Sequence, residues 1–463
     1  MRKLKTWQEF LYAFSAFGPN LLNIFVTAYL LDAIVPIGFS DPVQRGLWSF
    51  TGAVVVDRVL FTVLISIAKA IDGVIDVPMA FVFQKINGRR IGRHRFGMLI
   101  GLVPASIFYL LMWNPFSLAE GSGLNTVLIP VLAFLYFTSY TLMMLSYYST
   151  FTEIVSGERQ RVRLSSWKAV WDVVGYSVAY ALIPVFIGFG MNIRTIVMMF
   201  APLLLTMIIP QCFVREEAEG APQTDAQGPS LLASLKLTLT NRDFRRFAWV
   251  MGAMMFGLQM FLAAQNVIAS GVMHLDGFEI AMMNIFAFAP VPVMAIIFNI
   301  IQKRKGTWFG YRVGLILFAV AMALYGLPAF VGGPMLPLWG GMAVPLFGAV
   351  GGTIGSFSIA AFFATQYILP SQIAAAEMER TGRNNGSMYF AVQGLVVAGV
   401  SALSAYLVYP NLKAITFLGR EEYGIALVAP FVAAMSIVGF LFTYVFKGGE
   451  AVLSEKEAEG EAV

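Results

Sequence analysis

Three ionisable side chains lie close together in one strongly apolar stretch of the sequence. Lys69, Asp72 and Asp76 fall within residues 59–83. On a helix they would lie within an arc of about 80°, with the two carboxylates about 6 Å apart. Carboxylates at that distance repel each other unless a cation, a proton or the lysine lies between them. The spacing therefore predicts a site that binds Na⁺ or exchanges a proton.

A structural interpretation of the same cluster stays open. Lys69 could form a permanent ion pair with one aspartate. The other aspartate would then lie near an aqueous boundary, where Asp76 precedes Pro78. Charges in an apolar environment are costly unless they are paired, so both interpretations assign Lys69 as a charge partner.

Other polar residues in apolar stretches could form a binding surface. Asn20, Asn23 and Thr27 share one helical face, and Lys168 and Asp172 are four residues apart at the start of another stretch. A third stretch carries Tyr136, Tyr140, Thr141, Tyr147 and Tyr148. Tyrosine combines an apolar ring with a hydroxyl, which suits a sugar or an amphiphile. Ordinary contacts between helices explain each group equally well.

The composition excludes several classes of protein. Of the 463 residues, 58% are hydrophobic and 12% are charged, and the mean hydropathy is +0.74. A soluble protein of average composition has about twice that share of charge. One cysteine and two histidines predict neither a disulfide nor a metal centre formed by these residues. We therefore expect an integral protein of the lipid bilayer, not an enzyme, with no cofactor and no nucleic-acid partner.

Twelve apolar stretches are long enough to cross a bilayer, which takes about 20 residues of helix. The predicted spans are 9–33, 59–83, 96–117, 125–150, 164–188, 195–214, 246–270, 281–302, 313–332, 338–369, 387–410 and 425–446. They predict four segments, namely an N-terminal six-helix bundle (1–214), a cytoplasmic linker (215–245), a C-terminal six-helix bundle (246–446) and a cytoplasmic tail (447–463). This organisation is typical of transporters with a substrate site between two repeats. The expected fold is all-α and polytopic, with two pseudo-symmetric bundles.

The basic residues predict the orientation of the chain. With the N-terminus in the cytoplasm, 25 of the 31 lysines and arginines lie on the inner side. This excess agrees with the positive-inside rule, so both termini are expected to be cytoplasmic. The basic start MRKLK precedes an apolar run of about 25 residues without a clear cleavage site. The first span is therefore expected to be retained.

Several longer motifs carry a family resemblance. They are AFGPN (16–20), IDGVIDVPMAFVFQKINGRRIGRHRF (71–96), SYTLMMLSYYSTFTEI (139–154), ERQRVRLSSWKAVW (158–171) and ERTGRNNGSMYFAVQG (379–394). In this order they resemble the glycoside–pentoside–hexuronide:cation symporters of the major facilitator superfamily, the family of the melibiose permease. The resemblance implies the major facilitator fold, alternating access and a bacterial inner (plasma) membrane location. We expect a monomer.

The resemblance also implies roles for individual residues. Asp72 and Asp76 would bind the coupling ion, Na⁺ or H⁺, with the Thr141 hydroxyl close by. The substrate contacts, with Asn23 added from the polar face of the first span, would be Asn20, Asn23, Tyr140, Met144, Tyr148, Lys168 and Gln393.

Four positions depart from the family pattern. Asn20 and Met144 stand where the family has sugar-binding aspartates, Ala398 where it commonly has a lysine, and Lys85 where it has an acid. The cation site is thus retained while the charged sugar contacts are changed. The leading hypothesis is a cation-coupled secondary transporter of a small, glycoside-like organic solute with an altered substrate site. The alternatives are a transporter or flippase of a lipid-like amphiphile and a non-transporting membrane scaffold or assembly factor.

Overall fold

The part of the chain that the structure describes folds into twelve long helices. The computed structural model describes residues 5–39, 41–85, 92–153, 158–214, 236, 238–381, 386–416 and 423–445. The first six helices are α1 (Thr6–Ile34), α2 (Arg58–Lys85), α3 (Arg93–Met112), α4 (Gly123–Glu153), α5 (Glu158–Ser177, Val178–Leu182 and Ile183–Gly188) and α6 (Ile193–Phe213). The others are α7 (Arg242–Val272), α8 (Gly277–Lys305), α9 (Thr307–Val331), α10 (Leu346–Thr381), α11 (Gly386–Ser401, Ala402–Val408 and Tyr409–Leu412) and α12 (Val428–Val445). Short helices Pro42–Leu47 and Tyr423–Ala426 lie between long ones.

Eleven of the helices in the described ranges are long and apolar enough to cross a membrane. The remaining one, α2, has 28 residues and carries the three ionisable residues of the predicted acidic cluster. Twelve helices confirm the predicted fold class. Most of the predicted linker (215–245) and the whole tail (447–463) lie outside the described residues, so the segment boundaries stay predictions.

The two halves pack in the same way. In the first half α1 contacts α5 and α6, α3 contacts α6, and α4 contacts α2 and α3. In the second half the helices six positions later make the same pairs, α7 with α11 and α12, α9 with α12, and α10 with α8 and α9. Between the halves, α2 packs on α11 and α5 packs on α8. This repetition is the pseudo-symmetry expected from the sequence.

Local sequence signals explain several helix ends and irregularities. Asp276 starts α8 with a capping box, in which its side chain accepts from the Glu279 N–H and the Glu279 carboxylate accepts from the Asp276 N–H. Three π-helical segments occur in the described chain, at Val178–Leu182, Ile268–Val272 and Ala402–Val408. Such segments are rare and are frequently found at functional sites. All three face the opposite half, the segment in α5 against α8, the one in α11 against α2 and the one in α7 against Gly38.

The predicted start of the tenth span at 338 is wrong. Residues Met335–Pro337 form strand β1, which pairs antiparallel with strand β2 (Ala343–Pro345), and α10 begins at Leu346. The residues between the strands are apolar, but Gly340 and Gly341 have φ of 77° and 81°. Glycine adopts these angles readily, so a tight hairpin replaces the helix. The prediction relied on the hydrophobicity of these residues, which does not reveal the turn.

Two sides of the protein are distinguished below. The proximal side is the one at which α1 begins at Thr6, and the distal side is the one at which α1 ends at Ile34. Because the helices alternate in direction, α2 runs from distal to proximal, and α11 runs from proximal to distal. At the proximal end, Glu9 of α1 binds Arg163 of α5 through two contacts of 2.5 and 2.7 Å. Hydrogen bonding to Glu9 raises the pKa of Arg163 and helps to hold α1 against α5.

Candidate functional site

The acidic cluster on α2 contains an ion pair. Lys69 Nζ lies 2.8 Å from Asp72 Oδ2, and the Thr141 hydroxyl of α4 lies 3.4 Å from Asp72 Oδ1. The Lys69 ammonium also lies 4.2 Å from the centre of the Phe137 ring. Both charged side chains keep some exposure, 13% for Lys69 and 14% for Asp72. The pair is therefore not fully enclosed by the protein, and another cation could compete with Lys69 for the carboxylate.

Asp76, the second predicted carboxylate, lies one turn further along α2. Its side chain falls outside the described residues. The structure thus brings together Lys69, Asp72 and Thr141, and it shows the ion pair that one of the two sequence interpretations anticipated.

A second polar network joins α1, α4 and α5. Asn20 Nδ2 donates to Asp172 Oδ1 over 2.9 Å, and Asn20 Oδ1 accepts from the Tyr140 hydroxyl over 2.9 Å. Lys168 Nζ contacts both carboxylate oxygens of Asp172, at 2.5 and 2.6 Å. The Asp172 side chain is 39% exposed, so it can accept a further hydrogen bond. The sequence predicted Asn20, Tyr140 and Lys168 as contacts, and Asp172 connects Asn20 with Lys168.

Tyr148 and Met144 lie on successive turns of α4 after Tyr140, but in different surroundings. Tyr148 is 47% exposed, and Lys168 Nζ lies 5.9 Å from its ring centre. Met144 is buried in the hydrophobic core. Tyr148 therefore extends the polar network as an accessible aromatic surface, while Met144 belongs to the hydrophobic core.

Two further predicted contacts lack hydrogen bonds to this network. Asn23 Oδ1 and Gln393 Oε1 are buried, and neither has a hydrogen-bond partner among the described atoms. Thr27 donates to the backbone oxygen of Asn23 over 2.9 Å. Gln393 belongs to α11, in the opposite half from the other predicted contacts.

Helix α4 connects the acidic cluster with the second network. Tyr140 contacts Asn20, and the next residue, Thr141, contacts Asp72. Both side chains project from one helical turn. A change in the position of this turn would act on both sites at once.

A buried ion pair joins the two halves on the distal side. Lys413 is the C-terminal cap of α11. Its Nζ lies 2.5 Å from Asp32 Oδ1 of α1 and 2.8 Å from the backbone oxygen of Val35. The Tyr409 hydroxyl lies 3.2 Å from both carboxylate oxygens of Asp32. Lys413 is completely buried and Asp32 is 5% exposed. Removing one charge would leave the other desolvated and unpaired.

Close backbone contacts accompany this ion pair. A Cβ atom on Gly271 of α7 would lie 1.8 Å from the carbonyl oxygen of Gly38, and one on Gly277 of α8 would lie 2.3 Å from Pro184 O of α5. Asn284 of α8 donates to Tyr180 O of α5 over 2.5 Å. The distal ends of the halves are therefore in direct contact.

The sequence analysis did not single out Asp32 or the role of Lys413. Asp32 is an acid inside a predicted span, which is itself a signal of function. It is the penultimate residue of the predicted span 9–33, and nothing in the sequence indicates that it pairs with Lys413.

Comparison with known protein families supports the resemblance seen in the motifs. The family model described as "MFS/sugar transport protein" matches residues 11–448. The chain belongs to this family. It is therefore an integral, multi-pass membrane transporter of the major facilitator superfamily and not an enzyme, as the sequence predicted. A comparison with curated protein sequences gives no significant match.

Solved structures share the fold at low sequence identity. The nucleoside transporter NupG is 12% identical, with a TM-score of 0.63, and the match covers 96% of this chain and 99% of NupG. A POT family transporter solved with a thioalcohol-conjugated peptide is 14% identical, with a TM-score of 0.60 and 96% of each chain covered. A POT family structure with 5-aminolevulinic acid has the same identity and TM-score. These similarities establish the fold of this protein and do not identify its substrate.

Proposed function

We propose that this protein is a cation-coupled secondary transporter of a small organic solute and that Na⁺ or H⁺ binds at Asp72. The observation that carries the proposal is the partly exposed carboxylate of Asp72, midway along α2, whose two oxygens contact Lys69 and Thr141. Water screens the attraction between partly exposed charges, so a competing cation can separate Lys69 from Asp72 at little cost. Here an entering cation replaces Lys69 at the carboxylate, with Asp76 as the proposed second acid.

The solute binds, in this proposal, to the network of Asn20, Tyr140, Lys168 and Asp172, beside Tyr148. These residues offer both donors and acceptors, and the Lys168–Asp172 pair has no net charge. Hydroxyl groups donate and accept at once, so a neutral glycoside-like solute matches this set. Met144, Asn23 and Gln393 remain proposed contacts of the solute.

Coupling follows from the single turn of α4 that touches both sites. Occupation of Asp72 by a cation changes the contact with Thr141, and Tyr140 transmits the change to Asn20. Ligands can drive alternating access only by binding one conformation more tightly than the other. The distal contacts between the halves close one side, which we assign as extracellular, with both termini cytoplasmic in a bacterial inner membrane. The transporter acts as a monomer in this proposal.

A lipid-like amphiphile is the second candidate cargo. The buried Met144 and the Ala398 contact with Gly73 of α2 place apolar groups at positions where the family resemblance implies charged ones. The two cargo classes are separated by measuring thermal unfolding of the purified protein with a methyl galactoside, uridine, a dipeptide or lysophosphatidylcholine. Only a ligand that binds the native state raises the melting temperature. A rise with the galactoside supports the proposal, and a rise confined to the lysolipid favours the second candidate.

Asn20→Ala is expected to weaken binding of the stabilising solute by about 10- to 100-fold. The substitution removes the hydrogen bonds to Asp172 and Tyr140, and one bond to a charged group contributes about 1.5–3 kcal/mol. Asn411→Ala is the matched control, because the exposed Asn411 amide contacts only the Leu407 carbonyl of its own helix. Equal solute affinity in Asn20→Ala and the native protein would exclude Asn20 from the site.

A further inference from the structure

Two tyrosine hydroxyls in the interior have no role in the mechanism described so far. Tyr136 lies on α4 and Tyr406 lies in the π-helical segment of α11. Both residues are at most 1% exposed, and among the described atoms neither hydroxyl has a hydrogen-bond partner. Buried hydroxyls normally have a partner, since leaving one unpaired is costly. Two such groups near each other therefore indicate a place where a small polar ligand binds.

The packing of α2 on α11 brings Tyr406 to the acidic cluster. Next to Asp72, a Cβ atom on Gly73 would lie 2.3 Å from the Cβ of Ala398, so the two helices touch at this level. The helices run in opposite directions, and Tyr406 follows Ala398 by two turns towards the distal side. A helical side chain points back towards the N-terminus of its own helix, which directs the Tyr406 ring towards Asp72.

Tyr136 approaches the same carboxylate from within the N-terminal half. It precedes Thr141 on α4, and its ring stacks on Tyr140 with 6.1 Å between the centres. The Asp72 carboxylate interacts electrostatically with the hydroxyls of both Tyr136 and Tyr406, which also interact with each other. One carboxylate and two unpaired hydroxyls thus belong to three helices that meet where α2 packs against α4 and against α11.

We propose that the hydroxyls of Tyr136 and Tyr406 complete the ion site at Asp72, so that a single hard monovalent cation is held by both halves of the transporter. Hard cations prefer oxygen ligands, and a carboxylate with hydroxyl groups supplies them without adding charge. This inference rests on the proposed function of Asp72 and extends it to the C-terminal half.

The shared site has a conformational consequence. Tyr406 belongs to the half that moves relative to Asp72 during alternating access, so its oxygen reaches the ion only when α2 and α11 are packed as seen here. The ion then binds this arrangement more tightly than one with the helices apart, and its binding stabilises the contact of the halves. The irregular π-helical backbone of Ala402–Val408 places Tyr406 at that contact.

The test uses ion-dependent thermal unfolding of the full-length protein and needs no knowledge of the solute. NaCl replaces choline chloride at constant ionic strength in one titration, and pH is varied in choline chloride in the other. Tyr406→Phe and Tyr136→Phe remove only a hydroxyl. We expect each substitution to raise the concentration of the stabilising ion that is needed for half-maximal stabilisation by at least tenfold. Tyr311→Phe is the control, because its buried hydroxyl contacts Met254 Sδ at 3.0 Å, away from Asp72.

The outcomes separate this inference from the function on which it rests. Ion stabilisation in the native protein that persists unchanged in both Tyr406→Phe and Tyr136→Phe overturns the shared site and leaves the Asp72 proposal standing. A loss in Tyr136→Phe alone overturns the contribution of the C-terminal half. A native protein that responds to neither ion contradicts both. An equal loss in Tyr311→Phe would show a general effect of hydroxyl removal and would overturn the assignment.

Discussion

Lys413→Met is expected to open the distal side of the transporter. In the structure the Lys413 ammonium is fully buried against Asp32, and losing one member of such a pair costs about 3–5 kcal/mol. A conformation with separated halves lets Asp32 meet water and avoids this cost. The equilibrium between closed and open distal sides should therefore shift by about 100-fold or more.

The shift can be measured by labelling a buried distal position. Ser270 of α7 is 3% exposed and adjoins the Gly271–Gly38 contact. In a Cys212→Ser background, Ser270→Cys should resist a membrane-impermeant maleimide added from the distal side and react rapidly once Lys413→Met is introduced. Arg194→Met is the control, since Arg194 binds Asn114 within one half. Protection of Ser270→Cys in the Lys413→Met protein would contradict a closing role for the ion pair.

Asp72→Asn is expected to abolish ion-coupled transport. The amide is nearly the same size but has no negative charge, so it neither attracts a cation nor exchanges a proton. Uptake of the transported solute into proteoliposomes should fall at least tenfold and lose its dependence on Na⁺ or pH. The loss follows because the contact of Thr141 with an occupied carboxylate no longer exists.

Asp57→Asn serves as the control for Asp72→Asn. Asp57 lies just before the same helix and accepts a hydrogen bond from the Leu60 N–H, a role that asparagine also fills. Solute uptake by the Asp57→Asn protein should match that of the native protein. Coupling that survives in Asp72→Asn would exclude this carboxylate as the ion site.

The sequence was sufficient for the membrane fold because the length of each apolar stretch follows directly from the thickness of the bilayer. It also indicated Lys69 and Asp72, since charges in a span are rare and costly. The choice between an ion site and an ion pair depended on side-chain conformation, which spacing alone does not determine. The structure pairs Lys69 with Asp72 and leaves both partly exposed.

Contacts between distant parts of the chain could not be predicted in this way. Asp32 and Lys413 are 381 residues apart, and only the packing of α1 against α11 joins them. The sequence does not distinguish Tyr406 from an ordinary buried aromatic residue, because nothing in its neighbours indicates that its hydroxyl lacks a partner. Asp172 was visible as the partner of Lys168, but its bond to Asn20 required the fold.

The most direct test of cation coupling is solute accumulation driven by an imposed ion gradient. Proteoliposomes containing the native protein are equilibrated with the solute that stabilises it, at equal concentration inside and outside, and an inward gradient of Na⁺, or of H⁺, is then applied. We predict that one of these gradients drives the solute above its external concentration and that dissipating the gradient with an ionophore abolishes the accumulation. Solute that only equilibrates under both gradients would contradict the proposal.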